Sequence, residues 1–344
     1  MDWFRDRLES CSFELGDVDV ALRCGPCSNV LPSRQIRNQN DCRFDRTLSM
    51  VAHTTSTPSV VRDYIALTKP RIISLLLLTA VGGMVLAAKG LPEPVIAISV
   101  LVGGYLAAGG AHALNHYLER DLDSRMARTS QRPVASGRVS PVQALVFGIT
   151  LNIVAFLLLA VIVNVPAALI TMIGTLIYVF VYTIGLKTKT PLTNEIGGAA
   201  GAVPPMVGWV AVTGSLDLAA WYMFAIIFFW TPPHFWALAL LMKDDYAKAG
   251  VPMLPVVASV HETKKQILLY TLVLVALTCM FFTTKVVGLV YMVGAILLGG
   301  VFVFYNTRLL RGEGIDGAKA SYLYSLLYLA LLFGIIMVDA VVRI

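Results

Sequence analysis

Residues 115–138 read NHYLERDLDSRMARTSQRPVASGR, a polar stretch that separates two long apolar runs. It holds three carboxylates and five arginines in a chain that is 57% hydrophobic and only 14% charged. Soluble domains carry about 25% charged residues, so this composition indicates an integral membrane protein. A charged segment of this size at a membrane boundary is costly, and it is the first place to look for a function.

Nine apolar runs are each long enough, or nearly so, for a helix that needs about 20 residues to cross the bilayer. The chain is therefore predicted to be an all-α polytopic membrane protein with nine transmembrane helices. Gly and Ala dominate the fifth run, which favours close helix packing, and Pro204-Pro205 is expected to break or bend that helix. The predicted runs are 72–89, 94–117, 141–163, 166–185, 195–213, 219–242, 266–284, 287–306 and 319–340.

Lysines and arginines are concentrated in alternate loops, including those at 118–140 and 243–265. The positive-inside rule therefore predicts a cytoplasmic N-terminus, cytoplasmic polar motifs and an outside C-terminus, with a bacterial plasma membrane as the expected location. The net charge of +6 is explained by these loops and does not require a nucleic-acid partner.

Residues 1–60 are predicted to be a polar, disordered N-terminal extension ahead of a membrane domain at 61–344. The extension has no apolar signal-peptide core, and its eight acidic residues before position 46 argue against a transit peptide. Cys24-Gly-Pro-Cys27 is interpreted as an incidental pair, because a CxxC without a strand–helix context is a weak signal. Met50 is a second possible start of the chain.

Asn115, Glu119 and Asp123 are four residues apart, so they share one face of a helix that extends the second run. Oxygen ligands grouped in this way suit Mg²⁺, which binds one or two carboxylates together with substrate phosphates. Asp121 points off that face if the helix continues. The alternative is a solvated loop whose carboxylates pair with its own arginines.

Basic residues follow the acids and recur in a second loop. Arg125, Arg128 and Arg132 have the forked side chain that binds phosphate oxygens, although the positive-inside bias alone would also explain them. Two lysines and an amide lie before the Gly-rich helix, where they could equally be membrane-boundary anchors: Lys187, Lys189 and Asn194.

His234 lies inside the sixth run, after Pro232-Pro233 and between aromatic residues. An ionisable group at that depth is expected to face a cavity, where it could ligate a metal, bind an acidic group or act as a base. His112 and His116 receive no role. A second polar cluster is predicted at the exit of the same helix: Lys243, Asp244, Asp245 and Tyr246.

These motifs together resemble the UbiA-type intramembrane prenyltransferases over residues 60–340. The resemblance rests on the acid–arginine motif Asn115-x3-Glu119-x-Asp121-x-Asp123-x4-Arg128, on Lys187-x2-Thr190-Pro191-x2-Asn194 and on Pro233-His234-Phe235-Trp236. It implies nine helices around a central cavity, with Mg²⁺ held by Asn115, Glu119 and Asp123. It also implies that the arginines and lysines named above bind the diphosphate of the prenyl donor.

Two departures from the family pattern refine this expectation. Glu119 stands where the motif usually has Asp. His234 stands near the place where quinone-type relatives have a second Asp-x3-Asp motif, as it does in the branch whose acceptor is haem. The resemblance therefore implies transfer of farnesyl from farnesyl diphosphate to the 2-vinyl group of haem B, with water addition to give haem O. Haem B would be a substrate rather than a cofactor, and a haem A synthase is a suggested partner.

Two alternatives stay open. The same fold could act on a quinone-ring or chlorophyll-type acceptor. A transporter could also place acids and arginines beside a polar cavity. Transporters typically show inverted repeats and charges at mid-membrane depth, whereas this sequence shows no such repeat and its charges lie at one face.

Overall fold

The computed structural model describes residues 60–126, 129–186, 190 and 193–342, without the side chains of residues 193–195. Residues 1–59 of the predicted N-terminal extension, with the cysteine pair and Met50, lie outside the described residues. Within the described ranges, nine helices are long and apolar enough to cross a membrane, and they correspond to the nine predicted runs. We number them spans 1 to 9: Pro70–Ala88, Pro94–Leu118, Pro141–Val163, Val165–Leu186, Ile196–Thr213, Leu218–Leu241, Val260–Thr284, Leu289–Arg311 and Ala318–Val342.

Four short helices complete the described structure. Val60–Thr68, the lead-in helix, precedes span 1. Arg120–Arg125 follows span 2 directly, and Lys243–Lys248 and Leu254–Val257 lie in the loop after span 6. Spans 3 and 4 end in wider π-helical turns, at Leu159–Val163 and Ile177–Leu186.

Spans 5 and 6 form the interior of the bundle. Their most apolar windows are 56% and 61% buried, compared with 22% for spans 3 and 4. Span 5 packs against spans 1, 4 and 6, span 6 packs against spans 7 and 9, and span 9 returns to span 1. The outer spans expose apolar side chains such as Leu297 (64%), as a lipid-facing surface requires. The two most enclosed helices are thus the Gly-rich helix and the helix that carries His234.

Pro204-Pro205 does not break the fifth span, because the helix is continuous from Thr193 to Thr213. Pro232 and Pro233 likewise lie inside an unbroken helix, Leu218–Leu241. Close packing accounts for this: a Cβ on Gly83 of span 1 would overlap the carbonyl oxygen of Pro205. Membrane helices tolerate internal proline when a neighbouring helix packs this closely.

Gly208→Ala should therefore destabilise the protein, because the added Cβ would overlap the Ala80 carbonyl oxygen of span 1. Backbone atoms cannot rotate away, so the cost should resemble that of core overpacking, about 1–3 kcal/mol. Thermal unfolding of the purified protein measures it. Gly300→Ala is the matched control, since a Cβ there meets nothing within 4 Å. Equal melting temperatures for the two variants would contradict this account of the contact between spans 1 and 5.

Packing at one face of the bundle joins three segments that are distant in sequence. Met126, after span 2, packs in one apolar cluster with Tyr246 and Met253 from the loop after span 6. Arg138 Nε donates to Asp63 Oδ1 at 3.0 Å, which ties the lead-in helix to the same assembly. The predicted polar motifs that the structure describes therefore gather at one face.

Candidate functional site

The helical path continues beyond the end of span 2 and aligns the predicted metal ligands. Glu119 N–H donates to Asn115 O at 2.9 Å, and Asp123 N–H donates to Glu119 O at 2.8 Å. Asn115, Glu119 and Asp123 share one face and are 2%, 5% and 2% exposed. The side chain of Asp121 is 80% exposed and lies 3.8 Å from Arg120. The structure brings together the three side chains that the spacing groups and leaves Asp121 outside, as the helix geometry predicts.

Arg132 returns from the loop to lie against these carboxylates. Its Nη1 donates to both Asp123 oxygens at 2.8 Å and lies 3.9 Å from Glu119 Oε2. Thr129 Oγ1 donates to the backbone oxygen of Asp123 at 3.0 Å, which holds the loop close. The sequence predicted Arg132 as a diphosphate ligand, whereas in the structure it balances the charge of the two acids. Charge-assisted bonds of this kind are strong when buried.

The donor set fits Mg²⁺. Oxygen atoms of two buried carboxylates converge on a single cationic nitrogen, Arg132 Nη1, which marks where a positive charge is stabilised. Mg²⁺ typically binds through one or two carboxylates and completes its shell with phosphates and water. No group of three or more His, Cys, Asp or Glu side chains suited to a metal occurs in the described ranges. Glu119 and Asp123 could therefore hold Mg²⁺ only together with ligands such as phosphate or water.

Lys69 belongs to this site and was missed by the sequence analysis. Its Nζ donates to Asn115 Oδ1 at 3.0 Å, and its backbone is left-handed (φ 54°, ψ 60°) at the start of span 1. Left-handed backbone in a non-Gly residue is strained and is often found at functional sites. The available signal was a lysine directly before Pro70, at a helix start where the helix dipole disfavours positive charge.

Three basic side chains line a cavity of about 330 Å³ that reaches Arg132, the partner of the acids. Lys69, Arg132 and Arg138 line it together with His116. Thr183, in the π-helical segment of span 4, helps to hold the side chain of Asn115. Asn115 Nδ2 donates to Thr183 Oγ1 at 3.3 Å. The cavity adjoins the carboxylates through Arg132, so an anion bound here would lie next to a cation held by the acids.

His234 is enclosed by aromatic rings within span 6. It is 8% exposed, stacks on Trp230 at 4.4 Å and on Tyr322 at 5.0 Å, and contacts Ser325 Oγ through Nδ1 at 2.7 Å. No ion pair to His234 occurs among the described residues. Its environment is aromatic and uncharged, which differs from that of the acid cluster.

The remaining predicted residues are less enclosed or lie outside the description. Tyr246 is buried, Lys243 and Asp245 are half-buried, and Asp244 is exposed. The described residues do not bring Asp244 and Asp245 into a metal-binding group. Arg125 is exposed and forms no hydrogen bond or ion pair with the acids among the described residues. Three cations, and the side chain of Asn194, lie outside the described residues: Arg128, Lys187 and Lys189.

Residues 76–334 match the model of the UbiA prenyltransferase family. A protoheme IX farnesyltransferase from Roseiflexus sp. (strain RS-1) is 50% identical over 285 residues, which cover 83% of this chain and 53% of the relative. The chain thus spans about half the length of several curated relatives. Another protoheme IX farnesyltransferase, from Symbiobacterium thermophilum, is 48% identical and covers 94% of that relative and 81% of this chain.

Solved structures share the fold at low sequence identity. A structure described as digeranylgeranylglyceryl phosphate synthase superposes with a TM-score of 0.69 at 17% identity, covering 82% of this chain and 99% of that chain. A UbiA homolog from Archaeoglobus fulgidus, bound to GPP and Mg²⁺, gives a TM-score of 0.62 at 18% identity and covers 80% of this chain and 99% of that chain.

Proposed function

Because the chain belongs to the UbiA prenyltransferase family, we propose that it transfers farnesyl from farnesyl diphosphate to the 2-vinyl group of haem B. Water addition to the product then gives haem O. The observation that carries the proposal is the buried acid–arginine cluster of Glu119, Asp123 and Arg132 at one face of the bundle. The names of the relatives at 48–50% identity support haem as the acceptor.

Each part of the cluster has a separate task in this reaction. Glu119 and Asp123, with Asn115, would hold Mg²⁺, which supplies positive charge to the departing diphosphate. Arg132 and Lys69 stabilise the same developing charge from the basic cavity. Arg128, Lys187 and Lys189 remain proposed diphosphate ligands, and the exposed Arg125 can reach a ligand only from the loop surface. Of the second predicted cluster, Tyr246 packs with Met126 beside the acid-bearing loop.

The C1–O bond of farnesyl diphosphate breaks, and both electrons leave with diphosphate. The outer carbon of the vinyl group bonds to C1, and the carbon next to the porphyrin ring takes the hydroxyl group of a water molecule, which releases one proton. The allylic cation requires shielding from premature water, and the apolar side chains of the bundle provide it.

Nine crossings place the two ends of the described bundle on opposite sides, and we assign the acid cluster to the cytoplasmic side of a bacterial plasma membrane on the basis of the positive loops. The product, haem O, would have to be taken up by an enzyme that oxidises it further. A haem A synthase is therefore the proposed partner.

Incubation of the purified full chain with farnesyl diphosphate, Mg²⁺ and haem B should yield farnesylated haem, detected by mass spectrometry. Removal of divalent cations with EDTA should abolish the product, because two carboxylates and the diphosphate would otherwise repel each other. A quinone-ring acid and a chlorophyll precursor serve as competing acceptors. Prenylation of either one, with no farnesylated haem, would overturn haem as the acceptor while preserving prenyl transfer.

A further inference from the structure

His234 is held rigidly on three sides. Its ring lies between Trp230 and Tyr322, with interplanar angles of 17° and 26°. Trp230 is itself fixed, because its Nε1 donates to the Ser325 backbone oxygen at 2.8 Å. The imidazole cannot turn without breaking both stacks, so the direction of its free edge is set by spans 6 and 9.

The hydrogen bonds of Ser325 assign the proton on the ring. Ser325 Oγ lies 2.6 Å from the Tyr322 backbone oxygen, which can only accept, so the single hydroxyl hydrogen is donated there. Ser325 Oγ must then accept from His234 Nδ1, 2.7 Å away. In the neutral ring Nδ1 therefore carries the hydrogen, and Nε2 carries the lone pair.

The Nε2 atom is available to a ligand. It has no hydrogen-bond partner in the described part of the chain, yet it is not among the fully enclosed polar atoms, unlike Nε1 of the neighbouring Trp236. An imidazole that donates through one nitrogen and presents the other is the arrangement found in metal-binding histidines. His234 thus has the geometry of a metal ligand.

The surroundings restrict which metal His234 can bind. No group of three metal-binding side chains occurs among the described residues, so His234 has no protein partners to hold a free ion. A metal carried by a planar macrocycle brings four nitrogen ligands of its own and needs only an axial one. Trp230 and Tyr322 cover the two faces of the imidazole, so a ligand can approach His234 only at the ring edge that carries Nε2.

We propose that His234 Nε2 is an axial ligand of the iron of the acceptor haem, and that Ser325 is a positioning residue that keeps the lone pair on Nε2. The inference rests on the proposed function, because it takes haem as the acceptor. His234 lies seven residues before the end of span 6 at Leu241, about 10 Å into the helix. The porphyrin would therefore lie within the apolar layer, at the depth where a prenyl chain is soluble.

The test is a titration of haem B into the purified full chain without farnesyl diphosphate, followed by optical and electron paramagnetic resonance spectra. The wild-type protein should give the spectrum of a nitrogen-ligated haem. His234→Gly should lose that signature, and added imidazole should restore it, which a purely structural defect would not allow. Ser325→Ala should weaken haem binding by roughly 10–100-fold, the usual cost of removing a hydrogen-bond partner of a metal ligand.

Ser321→Ala is the matched control. Ser321 is equally buried on span 9, but its hydroxyl bonds to Asn306 instead of to His234, so the haem spectrum should not change. A folded His234→Gly protein with an unaltered nitrogen-ligated spectrum would overturn the inference. So would formation of farnesylated haem by a wild-type protein whose bound haem lacks a nitrogen ligand, although the proposed function would then stand. Histidine ligation without farnesyl transfer to haem would instead reject the function.

Discussion

Asp123→Asn should reduce farnesyl transfer by roughly 10³-fold or more, while the protein remains folded. Loss of one neutral hydrogen-bond donor to a developing negative charge typically costs about 10²–10³-fold. Asp123 would act on that charge through the divalent cation it holds, which carries two positive charges, so weakening the cation site should cost at least as much. Both of its oxygens are engaged, and the residue is only 2% exposed. Asn keeps the shape of the side chain and one oxygen, so the change removes charge and a metal ligand with little effect on packing.

The assay is release of diphosphate and formation of farnesylated haem under saturating substrates. Asp121→Asn is the matched control, because it makes the same chemical change two residues away on a side chain that is 80% exposed. It should retain nearly full activity. Equal losses of activity in the two variants would mean that the total charge of the loop, and not the position of Asp123, controls the reaction. A fully active Asp123→Asn protein would remove Asp123 from the site.

Arg132→Gln should change two measured quantities in opposite directions. Farnesyl transfer should fall by roughly 10²–10³-fold, because a cation near the leaving diphosphate is lost. Affinity for Mn²⁺ alone, measured by electron paramagnetic resonance, should rise about tenfold or more. Arg132 Nη1 engages both Asp123 oxygens, so it competes with a metal ion for them. Removing a unit charge at about 4 Å is worth a few kcal/mol at an effective dielectric constant near 20.

Arg120→Gln tests whether this response is specific. Arg120 precedes the same acids but pairs on the outside with Asp121, and its side chain is 39% exposed. Its replacement should leave both activity and Mn²⁺ affinity almost unchanged. Lower activity of Arg132→Gln without any gain in Mn²⁺ affinity would show that Arg132 serves the diphosphate only and does not share Asp123 with the metal.

The positions of the spans could be predicted because each depends on a continuous apolar run. Errors occur where tertiary contacts satisfy polar side chains at helix ends. Span 7 begins at Val260, six residues before the predicted 266, since Lys264 is 3% exposed and donates to the Gly312 backbone oxygen at 2.8 Å. Span 8 continues to Arg311, past the predicted end at 306, because Asn306 is fully buried and donates to Thr271 Oγ1 at 2.8 Å.

The hydrogen-bond partners of Asp339 also could not be predicted from the sequence around it. It is fully buried near the end of span 9, and its carboxylate accepts from the backbone N–H groups of Gly288 and Tyr291 at the start of span 8. A negative charge at a helix N-terminus is stabilised by the free N–H groups and the dipole. Its role depends on which helix start it meets, and that cannot be read from its own segment.

The sequence by itself determined what depends on neighbours along one helix: nine spans, the concentration of charge between spans 2 and 3, and the common face of Asn115, Glu119 and Asp123. Only the tertiary structure decided the partners of those side chains. Lys69 meets Asn115 across 46 residues, and His234 meets Ser325 across 91. The physical reason is that helical spacing fixes a direction around one axis, whereas these pairs form only after separate helices pack.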